Sequence, residues 1–130
     1  MSDAETIARL RRIGWRGDAL PAAGRQLARV VAQHRAGYEL HDGRTLFGAQ
    51  PDGHFLKRGT SPAERPVVGD FVEVFSGTPP HILSVAPRRT VLSRAAAGER
   101  YERQLTATNL DYVLVLTGLD RAFSPARLQR

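Results

Sequence analysis

Cysteine is absent from the 130-residue sequence. That excludes disulfides and thiolate metal sites and fits a reducing compartment, so the cytoplasm is the expected location. Long hydrophobic runs are missing too, since none reaches the roughly 18 residues of a membrane-spanning helix. Asp3 and Glu5 stand where a secretory leader would carry basic and then apolar residues, and no membrane partner is expected. Lysine is nearly absent: Lys57 is the only one, so eighteen of the nineteen cations are arginines. Acidic residues number thirteen, which leaves a formal net charge of +6. Codon usage in a GC-rich genome accounts for only part of the choice of arginine over lysine, and not for the surplus of positive charge. A polyanionic partner is implied, and the planar fork of arginine suits phosphate.

An apolar content of 42% supports one compact domain with a core, and hardly two. Residues 1–24 read as a basic N-terminal helix or arm. Ile7, Leu10 and Ile13 recur at helical spacing, Ser2 or Asp3 offers a cap, and Gly14 stops the helix. Either Ile13 and Trp15 pack on the adjoining domain, leaving Arg9, Arg11, Arg12 and Arg16 solvated, or the arm orders on a polyanion. From Gly24 onward the texture is that of short strands: Gln26–His34, Tyr38–His41, Thr45–Ala49, Phe71–Phe75 and His81–Val85. Asp42-Gly43 predicts a type I′ hairpin turn. His54–Lys57 reads as a short extension, and residues 59–66 as a polar loop in which Ser61-Pro62 opens a helical turn. Regularly spaced strands with turns between them suggest a small closed barrel, because so short a chain cannot leave long edges unpaired. A mainly β fold built on a five-stranded OB-type barrel over residues 25–92 is expected; an SH3-like barrel fits the spacing almost as well.

The remaining third has a different character. Arg88, Arg89, Arg94, Arg100 and Arg103 dominate residues 87–108, and the stretch 93–108 reads as a basic linker extending from the barrel. Asp111 to Leu119 contains a continuous apolar run, as in a strand buried on both faces of a parallel sheet. Ser124-Pro125 then supplies a helix cap and first turn. A strand followed by a helix start is half of a βαβ unit without its return strand. Residues 109–130 are therefore expected to be the truncated start of an α/β domain in a longer chain. The alternative is that Tyr112–Leu116 packs on the barrel as an extra strand.

Several segments, taken in order, resemble the bacterial small-ribosomal-subunit-dependent GTPases, the circularly permuted RsgA family. Arg29-Val30-Val31-Ala32-Gln33-His34-Arg35 with Tyr38 is similar to the family's first barrel hairpin. Pro66-Val67-Val68-Gly69-Asp70-Phe71-Val72 resembles its Gly-Asp strand start, and Pro87-Arg88-Arg89-Thr90-Val91-Leu92-Ser93-Arg94 its barrel exit. Gln104, Ala107, Asn109 and Asp111 match the approach to the GTPase domain, whose first strand and helix resemble residues 112–130. No single piece is specific; the order and spacing carry the likeness. The chain departs from the pattern at Phe71, where the family has tryptophan, and at Ala36, where glycine is expected. The resemblance implies an OB barrel, then a permuted GTPase domain using GTP and magnesium, then a zinc-binding region. It also implies docking on rRNA of the small subunit late in its maturation.

Nucleotide chemistry is not encoded within these residues. There is no Gly-x-x-x-x-Gly-Lys-Ser/Thr phosphate loop and no Asn-Lys-x-Asp base-recognition element, and Thr117-Gly118-Leu119-Asp120 is a superficial echo only. His34, His41, His54 and His81 lack metal-ligand spacing, and Ser61, Ser76, Ser84 and Ser93 lack a nucleophile context. No catalytic, cofactor-binding or metal-binding residue is expected, and no turnover by this chain alone. OB barrels do bind nucleic acid, with cations on phosphates and aromatics on bases. The RNA-binding candidates are Arg35 on the first hairpin, Lys57, Arg58 and Arg65 around the long loop, and Arg88, Arg89 and Arg94 at the exit. Tyr38 and Phe55 are candidates for base stacking, while Phe71 and Phe75 belong to the core. The expected partners are rRNA and the small ribosomal subunit, with the chain a monomer. A stand-alone OB-fold RNA-binding or translation-factor-like protein, or an SH3-like protein-interaction module, are the competing readings.

Overall fold

The computed structural model describes residues 2–95 and 103–119. Helix α1 (Asp3–Arg11) begins as a capping box: the Ser2 hydroxyl accepts from the Glu5 amide and the Glu5 carboxylate accepts from the Ser2 amide. The helix rests on the turn at Asp42-Gly43, where the Arg9 side chain donates to the Asp42 carbonyl at 3.0 Å. Gly43 has φ +96°, and a Cβ there would lie 2.5 Å from the Arg9 side chain, so the turn needs glycine twice over.

Strands β1 (Arg25–His34), β2 (Gly37–His41), β3 (Leu46–Pro51), β4 (Phe71–Phe75) and β5 (His81–Val85) form a closed barrel in the order β1-β2-β3-β5-β4. The long β1 pairs antiparallel with both β2 and β4, and a parallel contact between β3 and β5, Gln50 opposite His81, closes the ring. Closure of this kind removes the free edges and is the expected OB-type arrangement. Ala28, Val30, Tyr38, Leu40, Ala49, Phe55, Val72, Val74 and Ile82 fill the interior. A bulge between Val30 and Ala32 turns Val31 outward, although its apolar side chain suggests burial.

Five local expectations are corrected. The β2–β3 connection is the four-residue turn Asp42–Thr45, not a two-residue type I′ turn: the Asp42 carboxylate accepts from the amides of Arg44 and Thr45 at 2.8 and 2.9 Å, and only Gly43 has positive φ there. Gly53–Leu56 is a 3-10 turn in place of the expected extension, and it drives Phe55 into the barrel. Phe75 is half exposed at the end of β4, whereas Phe71 is buried outside the barrel lumen, its ring 5.2 Å from that of Trp15. Finally, β6 (Val91–Ala95) and β7 (Arg103–Thr108) pair as an antiparallel ribbon through much of the expected linker. Leu92, Leu105 and Ala107 give the ribbon enough apolar content to pair, a signal hidden by the arginines around it. Tyr112–Leu119 form no strand and do not join the barrel; Tyr112, Leu114 and Leu116 are each about nine-tenths exposed. The expected helix at 124–130 lies outside the described residues.

Asp70 fastens the ribbon to the barrel. Its fully buried carboxylate accepts a two-pronged contact from Arg88, 2.9 Å at each oxygen, together with the Thr108 hydroxyl at 2.5 Å and the Val67 amide at 2.8 Å. Gly69, at φ +96°, precedes it because a Cβ there would collide with the Thr108 carbonyl oxygen. Arg88→Ala should lower stability by about 3–5 kcal/mol, because it strands a buried charge. Arg89→Ala, which removes an exposed pair, should cost under about 1 kcal/mol. Urea unfolding of the two variants distinguishes them, and equal midpoints would contradict the assignment. At the β2–β3 turn, burial acts to raise the Asp42 pKa, but the amides of Thr45 and Arg44 outweigh it and leave the carboxyl below its ordinary value. The turn is thus stabilised above the free-aspartate value of about 3.9, and that contribution is lost as pH falls through the lower folded value. A carboxyl titration followed by NMR should place the Asp42 midpoint below that of a free aspartate.

Candidate nucleic-acid interface

The cationic side chains expected to touch RNA divide into two groups by what they already hold. Arg88 is spent: besides Asp70 it donates to the carbonyls of Ala63 and Arg65, at 2.5 and 3.0 Å. It is a structural clasp and not a free phosphate contact. Arg89 donates to Asp111 at 2.5 Å, and Arg16 reaches the same oxygen at 3.0 Å. Arg94 donates to Gln104 across the ribbon at 3.1 Å. Arg89 and Arg94 are tethered only by surface contacts, which are weak.

Arg35, Lys57, Arg58 and Arg65 are exposed and have no ion-pair partner among the described residues. Arg35 and Arg65 come together across a cleft of about 250 Å³ at the end of the barrel. Gln33, His34 and Gly37 of the first hairpin form one side, Gln50 and Pro51 of β3 another, and Phe55-Leu56 the loop side. Lys57 and Arg58 continue the chain directly from that wall. The hairpin tip is held by the Gln50 amide, which donates to the Ala36 carbonyl, and by Gly37, whose φ of +142° and lack of a Cβ let Gln50 approach. This clustering was not legible in sequence, where Arg35 and Arg65 are thirty positions apart.

The stacking candidates are corrected. Tyr38 and Phe55 keep only 8% and 5% of their surface exposed and belong to the core. The Tyr38 hydroxyl donates to the Pro66 carbonyl at 2.9 Å, and burial raises its pKa against the opposing pull of Arg65. Their edges floor the cleft, but neither offers a ring face to solvent. The groove along β2 and β3 between the 34–37 and 79–80 turns, the usual ligand face of an OB barrel, carries no arginine or lysine in its lining. In that groove the His34 ring nitrogen lies 3.5 Å from the Glu39 carboxylate.

A residue that the sequence did not single out governs the way the chain leaves the barrel. Arg29, half-buried over the Phe71 ring, donates to three carbonyls from separate segments: Ile13 at 2.7 Å, Asn109 at 2.8 Å and Gly69 at 3.1 Å. Burial lowers its pKa, partly offset by Asp111. Asn109, at φ +55°, donates from its side chain to Gly69 and accepts from the Arg89 amide.

Set beside known proteins, the chain matches no family model. It is 41% identical over 104 residues to the small ribosomal subunit biogenesis GTPase RsgA of Xylella fastidiosa strain M12, covering 79% of this chain and 30% of that protein. The RsgA of Xanthomonas campestris pv. campestris strain B100 is 39% identical over the same length, with 28% of it covered. The matched stretch belongs to the RsgA family. The chain thus spans less than a third of the length of these RsgA relatives. A crystal structure of YjeQ from Thermotoga maritima aligns with 63% of this chain and 27% of that one, at 19% identity and a TM-score of 0.45.

Arg29→Met would leave the Ile13 and Asn109 carbonyls without a donor and the Gly69 carbonyl with Asn109 alone. It should destabilise the protein by about 2 kcal/mol or more. Amide exchange at Asn109 and Leu110 should quicken beyond what the global loss explains; uniform quickening would refute a local role.

Proposed function

We propose that this barrel is the rRNA-gripping module of an RsgA-type GTPase acting in late maturation of the small ribosomal subunit. The GTPase chemistry, with its GTP, magnesium and zinc, belongs to parts of such proteins that these residues do not supply. The observation that carries the reading is that Arg35 and Arg65 line one cleft, that Lys57 and Arg58 follow its wall residue Leu56 in the chain, and that none of the four has an ion-pair partner among the described residues. Four unneutralised cations on a hairpin and a long loop form the electrostatic footprint of a phosphate backbone. The RsgA relatives are named for biogenesis of the small ribosomal subunit, and rRNA is the polyanion of that particle. Arg89 and Arg94 on the exit side extend the positive surface; Arg88 does not contribute a free fork.

Binding of a small-subunit rRNA fragment by the chain should weaken steeply with salt. Alanine at Arg35, Lys57, Arg58 or Arg65 should each lower the log–log salt slope by about 0.7–0.9. Lys57, being the only lysine, serves as a reporter: acetylation of its amine should be rapid in the free protein and suppressed by RNA. Affinity that is flat from low to high salt, or Lys57 equally reactive with and without RNA, would count against the proposal.

A further inference from the structure

Resting on that reading, we propose that the cleft between the first hairpin and the 53–66 loop is a seat for one unstacked nucleobase of single-stranded RNA. The phosphates flanking that base lie on Arg35 and Arg65. Size is the first argument. At about 250 Å³ the cleft is smaller than the ~300–1,000 Å³ typical of sites for drug-sized ligands, which suits a single planar ring and not a whole nucleotide.

The chemistry of the lining is the second. Leu56 is 64% exposed at the end of the 3-10 turn, an apolar side chain standing in water immediately before Lys57-Arg58. A single exposed leucine is ordinary by itself; its place on the cleft wall is what matters, since apolar side chains of this kind contact bases in nucleic-acid complexes. The edges of Tyr38 and Phe55 make the floor apolar. Gln33 lies exposed on the opposite wall and can both donate to and accept from a base edge. Gln50 is less free, because its amide already holds the Ala36 carbonyl.

A paired duplex would meet the same arginines but could not place a base in the cleft, because its rings are stacked and their edges occupied. Recognition of RNA through unstacked bases is the common route to selectivity, since the deep groove of A-form RNA is closed to side chains. The site therefore discriminates single-stranded or looped RNA from helix, while the phosphate contacts alone do not.

The test uses the full chain with two labelled RNA probes of equal phosphate number, a single-stranded oligonucleotide and a closed hairpin duplex, each titrated by anisotropy at several salt concentrations. The single-stranded probe should bind more tightly. Leu56→Ala and Gln33→Ala, both at exposed positions, should each weaken it about three- to tenfold, with duplex affinity and salt slope unchanged. Arg65→Ala should weaken both probes and reduce the slope. A 2-aminopurine in the single strand should brighten on binding wild-type protein and much less with Leu56→Ala, as expected for a base drawn out of its stack. Equal affinity for the two probes, or equal losses on both in the Leu56 and Gln33 variants, overturns the base seat while leaving phosphate gripping intact. Binding of neither probe at low salt overturns the phosphate reading and the base seat together.

Discussion

The barrel and its exit ribbon depend on one buried charge. Asp70 has no access to water, and a bare carboxylate in that position would cost several kcal/mol. Four donors offset this cost: two N–H groups of Arg88, the Thr108 hydroxyl and the Val67 amide. They come from separate stretches of chain, so the carboxylate can be satisfied only when the long loop, the barrel exit and the end of β7 meet at the start of β4. Arg88 transmits the demand further through the carbonyls of Ala63 and Arg65. Those carbonyls fix the loop whose Arg65 side chain reaches the opposite cleft. The internal ion pair thereby sets where an external cation stands.

The same constraint explains why composition misled about individual arginines. A count of nineteen cations says nothing about which of them the fold consumes. Arg29 and Arg88 are drawn inward by unsatisfied carbonyls and a buried carboxylate. Arg35, Lys57, Arg58 and Arg65 meet no such groups among the described residues and stay outside. Charge surplus measures a tendency to bind polyanions, and the division of labour among the charges follows from backbone geometry, which a linear sequence does not display.

What was readable in the sequence had local causes. The five barrel strands were legible because alternation and turn residues are short-range signals, and the helix start showed in Ser2 or Asp3 as a cap, of which the fold uses Ser2. The Gly69-Asp70 pair could be noticed, but its reason could not: the glycine is required by Thr108, thirty-nine positions away. The ribbon β6–β7 was hidden for the same cause. Its pairing depends on partners across residues 96–102, and its arginines look like those of a solvated linker. Tyr38 and Phe55 show the opposite failure. Aromatic residues on a hairpin and a loop of a nucleic-acid barrel invite a stacking role, yet the barrel needed their volume for its core.

The exit segment joins these points into a mechanical argument. Asn109 and Leu110 are held from several directions: Arg29 and the Thr90 backbone bond Asn109, and the Thr90 hydroxyl donates to the Leu110 carbonyl at 2.7 Å. Directly beyond them the side chains of Tyr112–Leu119 are open to solvent, a length of apolar surface unfavourable for a lone chain. Since Arg29 also holds the carbonyls of Ile13 and Gly69, the heading of that segment is fixed to the N-terminal helix and to the Gly-Asp turn together. Gly69 and Asn109 are tied twice, directly through the Asn109 side-chain amide and again through Arg29, so the Gly-Asp turn and the start of the exit segment are held as one unit.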